Sequence, residues 1–396
     1  MAIFSILSRL IFFAAFCTAI PFHNQSLSPG SGWPNSYIAL GDSYASGVGA
    51  GHYIHPYNNE IKRCKRFDGS YPSQVNDLLG VQQFDFVACT GDVLDNLNDQ
   101  HNKLGNKRAD LVTLSIVGND FLFGNTVRKC IYNYFRAGPV GPREQKRRDN
   151  ERDKQCQEAL RMSRNLVEGG LRNDKKSVWT RYEEEVDRII SERLSTTNPN
   201  AVLIITGYAK FFATPKEDGD VCDGKRFPIS NPRVANILHK RVRQEMNDLI
   251  LQVNTHIRDR IASRHPKQII FLDTDTPLDN HRFCEPNPEY QVPGGYLLDS
   301  ENVYFKSLKT TVLDKEWVAR VDNKNQTEIV DWHHESPIRS RNNARTLKSG
   351  SELSSRATMA SHLKLRVTSI FHPKSQAHRL TALNIQRLVS RRFDSV

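Results

Sequence analysis

The triplet Gly41-Asp42-Ser43 ends a short apolar run in "YIALGDSYASGVGAG". A serine at the point where a strand stops, followed at once by small residues and glycines, is either part of a plain turn or a nucleophile presented at the strand exit. As a nucleophile, Ser43 would need a base to take its proton and hydrogen-bond donors aimed at the oxyanion that forms on the attacked carbonyl. Two later stretches supply donors of the right kind. Gly91 in "ACTGD" offers a backbone N–H with no side chain in the way, and Asn119 in "IVGND" offers a side-chain amide. The amide of Ser43 itself would be the third. Taken singly, Gly91 and Asn119 read as turn residues. The chain has 13 histidines, and "VTSIFHPKSQAH" places His372 and His378 near its end. Pro373 keeps His372 out of helical geometry, on a loop at the start of the last helix, whereas His378 would fall inside that helix. His372 is the candidate base.

The elements that must position these residues are legible as alternating patterns. Apolar runs at 37–40, 84–88, 111–117, 201–205 and 268–272 read as buried strands. Helical patterns lie between them. "SYPSQVNDLLG" offers Ser70 as a cap, Pro72 in the first turn and Gly80 as a stop. Val186, Ile189, Ile190 and Leu194 recur at helical spacing, as do Val234, Ile237, Leu238, Val242 and further apolar residues up to Ile261. The alternation predicts an α/β fold with a mostly parallel sheet, in which ligands bind beyond the carboxyl ends of the strands. The five strands are followed by Gly41-Asp42-Ser43, "CTGD", "GND", "TGYAKFF" and "DTD". Small and polar groups at five successive exits point to one site along one edge of the sheet.

Bulk properties set the surroundings of that site. At 396 residues the chain can bury a substantial core. Arg9 precedes an apolar run at 11–20, and Cys17-Thr18-Ala19 has the small residues of a signal-peptidase site, which predicts a signal peptide over 1–19. The run is far short of the ~20 residues of a spanning helix, and no later segment qualifies, so no transmembrane segment is expected. Of seven cysteines, six remain once Cys17 is removed, an even number suited to an oxidising compartment. Asn24 and Asn325 head glycosylation sequons. These features predict a secreted, extracellular protein. The net charge of +11 is not segregated: "REQKRRDNERDK" at 143–154 alternates signs without aromatics and reads as a solvated helix face, so nucleic acid is not an expected partner.

The expected organisation is a single domain over 36–396 with a helical insertion at about 124–180, carrying Cys130 and Cys156. A polar loop at about 323–362 is poor in large apolar residues and reads as flexible and disorder-prone. It lacks the apolar face that a lid would need. No metal site is expected, since the histidines of "DWHHE" at 331–335 sit in that polar stretch and no zinc-like spacing occurs elsewhere. No cofactor is expected either, because "SGVGAG" lacks the context of a dinucleotide loop.

"GDSYASGVGAG", the glycine of "ACTGD", "IVGND" and a late "FHPK", in that order, resemble the blocks of the SGNH, or GDSL-type, hydrolases. "RFDGSYPSQ", "GYAKFF" and "DNHRFCEPN" are similar to its secreted esterase branch in actinobacteria and fungi. The likeness covers about 36–290 and resumes near 363. It implies a three-layer α/β/α, flavodoxin-like fold of about five strands. It also implies Ser43 as nucleophile, His372 as base, and Ser43, Gly91 and Asn119 as the oxyanion hole. The commonest pattern has an aspartate three residues before the histidine, where this chain has Ser369. Some members of the branch use a backbone carbonyl there, which implies a dyad rather than a triad. Asp273 and Asp275 are the alternative carboxylates, each with a structural role as the competing explanation. The same resemblance implies the bridges Cys64–Cys89, Cys130–Cys156 and Cys222–Cys284. The activity implied is a monomeric secreted serine esterase hydrolysing carboxylic esters of lipids or other acylated substrates. A carbohydrate deacetylase on the same fold, or a non-catalytic protein binding lipid or cell wall, is the alternative.

Overall fold

The computed structural model describes residues 33–131, 141–171, 176–215, 220, 222–225, 237–285, 303–305 and 371–394. The segment 1–19, Asn24, Asn325, the stretch 323–362, Val234 and Ser369 lie outside the described residues.

Five strands form the sheet: β1 (Ser36–Gly41), β2 (Gln83–Phe86), β3 (Leu111–Ser115), β4 (Val202–Thr206) and β5 (Ile269–Leu272). Their spatial order is β2-β1-β3-β4-β5 and every neighbouring pair is parallel. This is the flavodoxin-like doubly wound order, in which the chain leaves β1 to one side and later returns to its other side. β1 and β3 therefore flank the switch point, with Gly41 in register with Ser115.

Side-chain alternation sorts the strands onto two buried faces. Tyr37, Ala39, Val202 and Ile204 point to one. There they meet Val75 and Leu79 of α3 (Tyr71–Leu79) and Ile385 and Val389 of α9 (Ser375–Phe393). Ile38, Leu40, Leu203 and Ile205 point to the other. That face is covered by α4 (Leu97–Leu104), α7 (Val178–Arg193) and α8 (Lys240–His256). The result is the three-layer α/β/α arrangement. The α3 helix starts and stops as its sequence dictates: the Ser70 side chain accepts the N–H of Ser73, and Gly80 ends the helix at φ +60°.

Between β3 and β4 the chain inserts α5 (Phe123–Cys130) and α6 (Pro142–Val167) ahead of α7. The Cys130–Cys156 bridge ties α5 to α6, and Ser163 of α6 donates to the carbonyl of Phe121 at 2.7 Å. The mixed-charge run lies on α6, where Glu144 and Arg147 pair on the exposed surface while Arg152 is buried. No described helix is long and apolar enough to cross a membrane.

Three elements depart from the sequence pattern by more than one residue, each for a tertiary reason. β2 stops at Phe86 rather than at 88, because the carbonyls of Val87 and Ala88 are taken by the buried guanidinium of Arg66. β3 stops at Ser115 rather than at 117, because Val117 turns to φ +93°. α8 begins at Lys240 although the apolar spacing continues upstream; the amide of Leu238 instead donates to the carbonyl of Lys225 at 2.7 Å.

Candidate active site

At the β1 exit, Gly41 adopts φ +139°, and a Cβ there would lie 2.3 Å from the carbonyl oxygen of Ser115. Only glycine lets the first and third strands end this close together. The amide of Asp42 donates to that same carbonyl at 2.8 Å. Ser43 then opens a single helical turn, α1 (Ser43–Ser46), capped by the Asp42 carboxylate, which accepts the N–H of Tyr44 at 2.9 Å. The serine is buried to 9% exposure, and its Oγ lies 2.7 Å from Nε2 of His372. His372 sits just ahead of α9, between Phe371 at φ +62° and Pro373. His378 lies inside α9, buried and stacked on Tyr71. Of the two late histidines, the fold brings His372 to the serine.

The donor candidates come from the next two exits. Gly91 has φ +91° with open space where a Cβ would be, so conformation rather than crowding explains the glycine. Nδ2 of Asn119 donates to the carbonyl of Asp92 at 2.9 Å, which ties the β3 exit to the residue following Gly91. An amide nitrogen carries two hydrogens, so this bond leaves donor capacity on Asn119. Beside Asn119 opens a cavity of about 160 Å³ with Val93, Leu166, Val178 and Arg181 in its wall.

Several residues that the sequence did not single out hold these turns together. Gln100 of α4 bonds both main-chain groups of Gly41, accepting from its N–H at 3.0 Å and donating to its carbonyl at 2.8 Å, and it also reaches the Asp92 carboxylate at 2.7 Å. Tyr208, at the β4 exit, donates its hydroxyl to Asp42 at 3.1 Å and accepts the N–H of Gly118 at 3.0 Å. One phenol thus links the residue before Ser43 to the residue before Asn119. The Cys64–Cys89 bridge joins α2 (Asn59–Cys64) to the loop that carries Gly91. "GYAKFF" pointed to Tyr208 only as part of a likeness, and nothing local marks Gln100.

The carboxylates named beforehand have other work. Asp275 accepts from the Lys210 amide at 2.8 Å and from Arg282 at 2.8 Å. Asp273 caps the amides of Asp275 and Thr276, and a further carboxylate nearby, Asp279, pairs with Arg282. The β5 exit is thus occupied by its own turn. The third bridge, Cys222–Cys284, lies beside it.

Burial dominates the electrostatics of the β1 exit. It raises Asp42 from the usual 3.8 to about 7, partly offset by the bonds from Tyr44 and Tyr208. Asp120, next to Asn119, is likewise raised to about 7 by burial, against the pull of Arg181. A carboxyl raised on folding holds a proton that the unfolded chain has released. Its contribution is fully present below about pH 4 and is lost as pH rises through about 7. For a shift of this size the change is on the order of 4 kcal/mol. Asp42→Asn removes the Asp42 share, so the fall in Tm between pH 5 and pH 8 should be smaller in the variant than in the parent. Equal falls would show that Asp42 does not titrate in this window.

Comparison with known proteins gives the family. Residues 39–296 match the GDSL-like Lipase/Acylhydrolase family, and the chain belongs to it. It is accordingly a hydrolase of ester bonds. The matched stretch holds Ser43, Gly91 and Asn119 and ends short of His372. Among curated relatives, Lipase 1 of Streptomyces coelicolor is 26% identical over 260 residues, covering 64% of this chain and 75% of the relative. A lipase of Streptomyces rimosus is 38% identical over 94 residues, which span 24% of this chain and about a third (34%) of that protein. The solved structure of the extracellular lipase from Streptomyces rimosus superposes with a TM-score of 0.51 at 19% identity, covering 89% of this chain and 99% of the other, a likeness of fold.

Proposed function

We propose that this hydrolase is a secreted serine esterase that cleaves lipid or other acyl esters through an acyl-enzyme on Ser43. The observation that carries the reading is the 2.7 Å approach of His372 Nε2 to Ser43 Oγ. His372 takes the Ser43 proton as Oγ attacks the ester carbonyl, and returns it to the departing alkoxide, which leaves as the alcohol. Water, deprotonated by the same imidazole, then attacks the acyl-serine; the C–Oγ bond breaks, the imidazolium returns the proton to Oγ, and the acyl group leaves as the carboxylic acid. Through both steps the oxyanion is held by the N–H groups of Ser43 and Gly91 and by Nδ2 of Asn119. The side chains and water account for every proton moved.

In this reading the base works in a dyad with Ser43; Ser369, where the family's commonest pattern has its carboxylate, lies outside the described residues. The engagement of Asp273, Asp275 and Asp279 with their own neighbours supports this over a remote carboxylate. Secretion is supported by three disulfides, which persist in oxidising compartments, and by the extracellular lipase whose fold this chain shares. The signal peptide at 1–19, glycosylation at Asn24 and Asn325, a single catalytic domain and a monomeric state belong to the same proposal.

The test is covalent. A fluorophosphonate probe should label the protein once, with the tag mapping to Ser43, and His372→Ala should abolish labelling. A tag on any other residue overturns the assignment. Hydrolysis of nitrophenyl esters beyond acetate is expected as well; turnover confined to acetate would point to a deacetylase instead.

A further inference from the structure

Ser43 and His372 are 329 positions apart in the chain. Something must hold the late loop against the early turn within a few tenths of an ångström. The residue that follows the serine makes the connection. Tyr44 donates its hydroxyl to the main-chain carbonyl of Phe371, the residue before His372, at 3.1 Å. Its ring also lies against the imidazole, with centroids 5.3 Å apart at an interplanar angle of 47°. Tyr44 is itself fixed at two points. Its amide donates to Asp42 at 2.9 Å, and its ring meets Tyr208 edge-on at 5.0 Å.

The partner side of this contact is equally constrained. Phe371 has φ +62°, a left-handed conformation that a bulky residue keeps only where its surroundings enforce it. Its ring is buried and meets Phe211 at 4.8 Å and Phe283 at 5.1 Å, both edge-on. Two residues on, Pro373 pairs with Phe305, and the amide of Lys374 donates to the carbonyl of Tyr304 at 2.8 Å. The ring of Phe371 is thus anchored in an aromatic pocket, while its carbonyl is anchored to the turn that carries the nucleophile.

We infer that Tyr44 is a positioning residue for His372: its hydroxyl sets where the 371–373 loop rests, and so the angle and distance at which Nε2 meets Ser43 Oγ. The inference rests on the Ser43 and His372 reading above and adds a residue that acts through the base. The phenol points at a carbonyl rather than at the reacting atoms, so Tyr44 transfers no proton. A bond that only stabilised the fold would lower Tm and leave turnover of the folded enzyme alone. A positioning bond changes turnover at unchanged substrate affinity, since a displacement of about 1 Å can cost ~10² in rate.

Tyr44→Phe, in the full chain, keeps the ring against His372 and removes only the hydroxyl. We expect kcat on a nitrophenyl ester and the second-order rate of fluorophosphonate labelling to fall together by about 10- to 100-fold, with KM and the circular dichroism spectrum unchanged. Parental values of kcat and labelling rate in a folded variant overturn the inference, as does a change confined to KM. If Tyr44→Phe does not fold, Phe371→Leu shifts the same loop from its other anchor. It should lower the same two rates, and unchanged rates overturn the inference. The parent protein separates the two levels. If its label maps to Ser43 while Tyr44→Phe behaves normally, the inference alone fails; if the label maps elsewhere, the Ser43 and His372 reading fails and takes the inference with it.

Discussion

Ser43→Ala is expected to abolish ester hydrolysis, lowering kcat by about 10⁶, the scale seen when a serine hydrolase loses its nucleophile, while Tm stays close to that of the parent. The two halves of this expectation have separate physical grounds. Turnover goes because, in the proposed mechanism, Oγ is the atom that becomes acylated, and it is the atom that lies 2.7 Å from His372 Nε2. Stability stays because the turn is built from the backbone of Ser43 rather than from its side chain. The Ser43 carbonyl accepts from Gly47 at 3.1 Å, from Val48 at 3.3 Å and from the Ser46 hydroxyl at 3.3 Å. Alanine keeps all three and fits the first position of the helical turn. His372→Ala should fall to a comparable floor, and the double variant should be little worse than either single one, because nucleophile and base act as a unit. Steady-state kinetics with a nitrophenyl ester, alongside thermal melts, reads both effects. Activity of a folded Ser43→Ala protein within tenfold of the parent would remove Ser43 from the mechanism.

Asn119→Ala carries the next largest expected effect. Loss of one oxyanion donor typically costs about 10²–10³ in kcat, or roughly 3–4 kcal/mol of transition-state stabilisation. Here the upper end of that range is expected. Nδ2 of Asn119 also holds the Asp92 carbonyl at 2.9 Å, and Asp92 directly follows Gly91. In the proposed mechanism, removing the amide takes away one donor and loosens the loop that presents another. The loss should fall on kcat with KM little changed, because the oxyanion exists only in the transition state and the tetrahedral intermediate. Asn119→Asp should be at least as damaging, since a carboxylate cannot donate and would repel the developing charge. A change confined to KM in Asn119→Ala would mean that this residue binds substrate without stabilising the oxyanion.

Much of the fold follows from local rules acting within a few residues. Five apolar runs with helical patterns between them specify alternating strands and helices. Ser70 and Gly80 bound α3 where cap chemistry places them. Ser43, Gly91 and Asn119 can be picked out because each follows a strand, and Pro373 alone separates His372 from His378. What the local rules leave open is which groups meet in space. The strand order β2-β1-β3-β4-β5 brings the β1 and β3 exits together, and only then does Gly41 acquire its reason, the Ser115 carbonyl 2.3 Å from where a Cβ would stand. The hold of Gln100 on Gly41, of Tyr208 on Asp42 and of Tyr44 on Phe371 spans 59, 166 and 327 positions. Such contacts leave no periodicity and no turn signature, because their geometry exists only once distant segments have packed. The same holds for Asp273 and Asp275, open candidates in the chain that the packed β5 exit commits to the amides of Thr276 and Lys210. Residue type and spacing thus determined which side chains could do ester chemistry. The packing of the sheet decided which of them are close enough to do it together, because a proton passes from serine to histidine only across a hydrogen bond and the chain by itself does not set that distance.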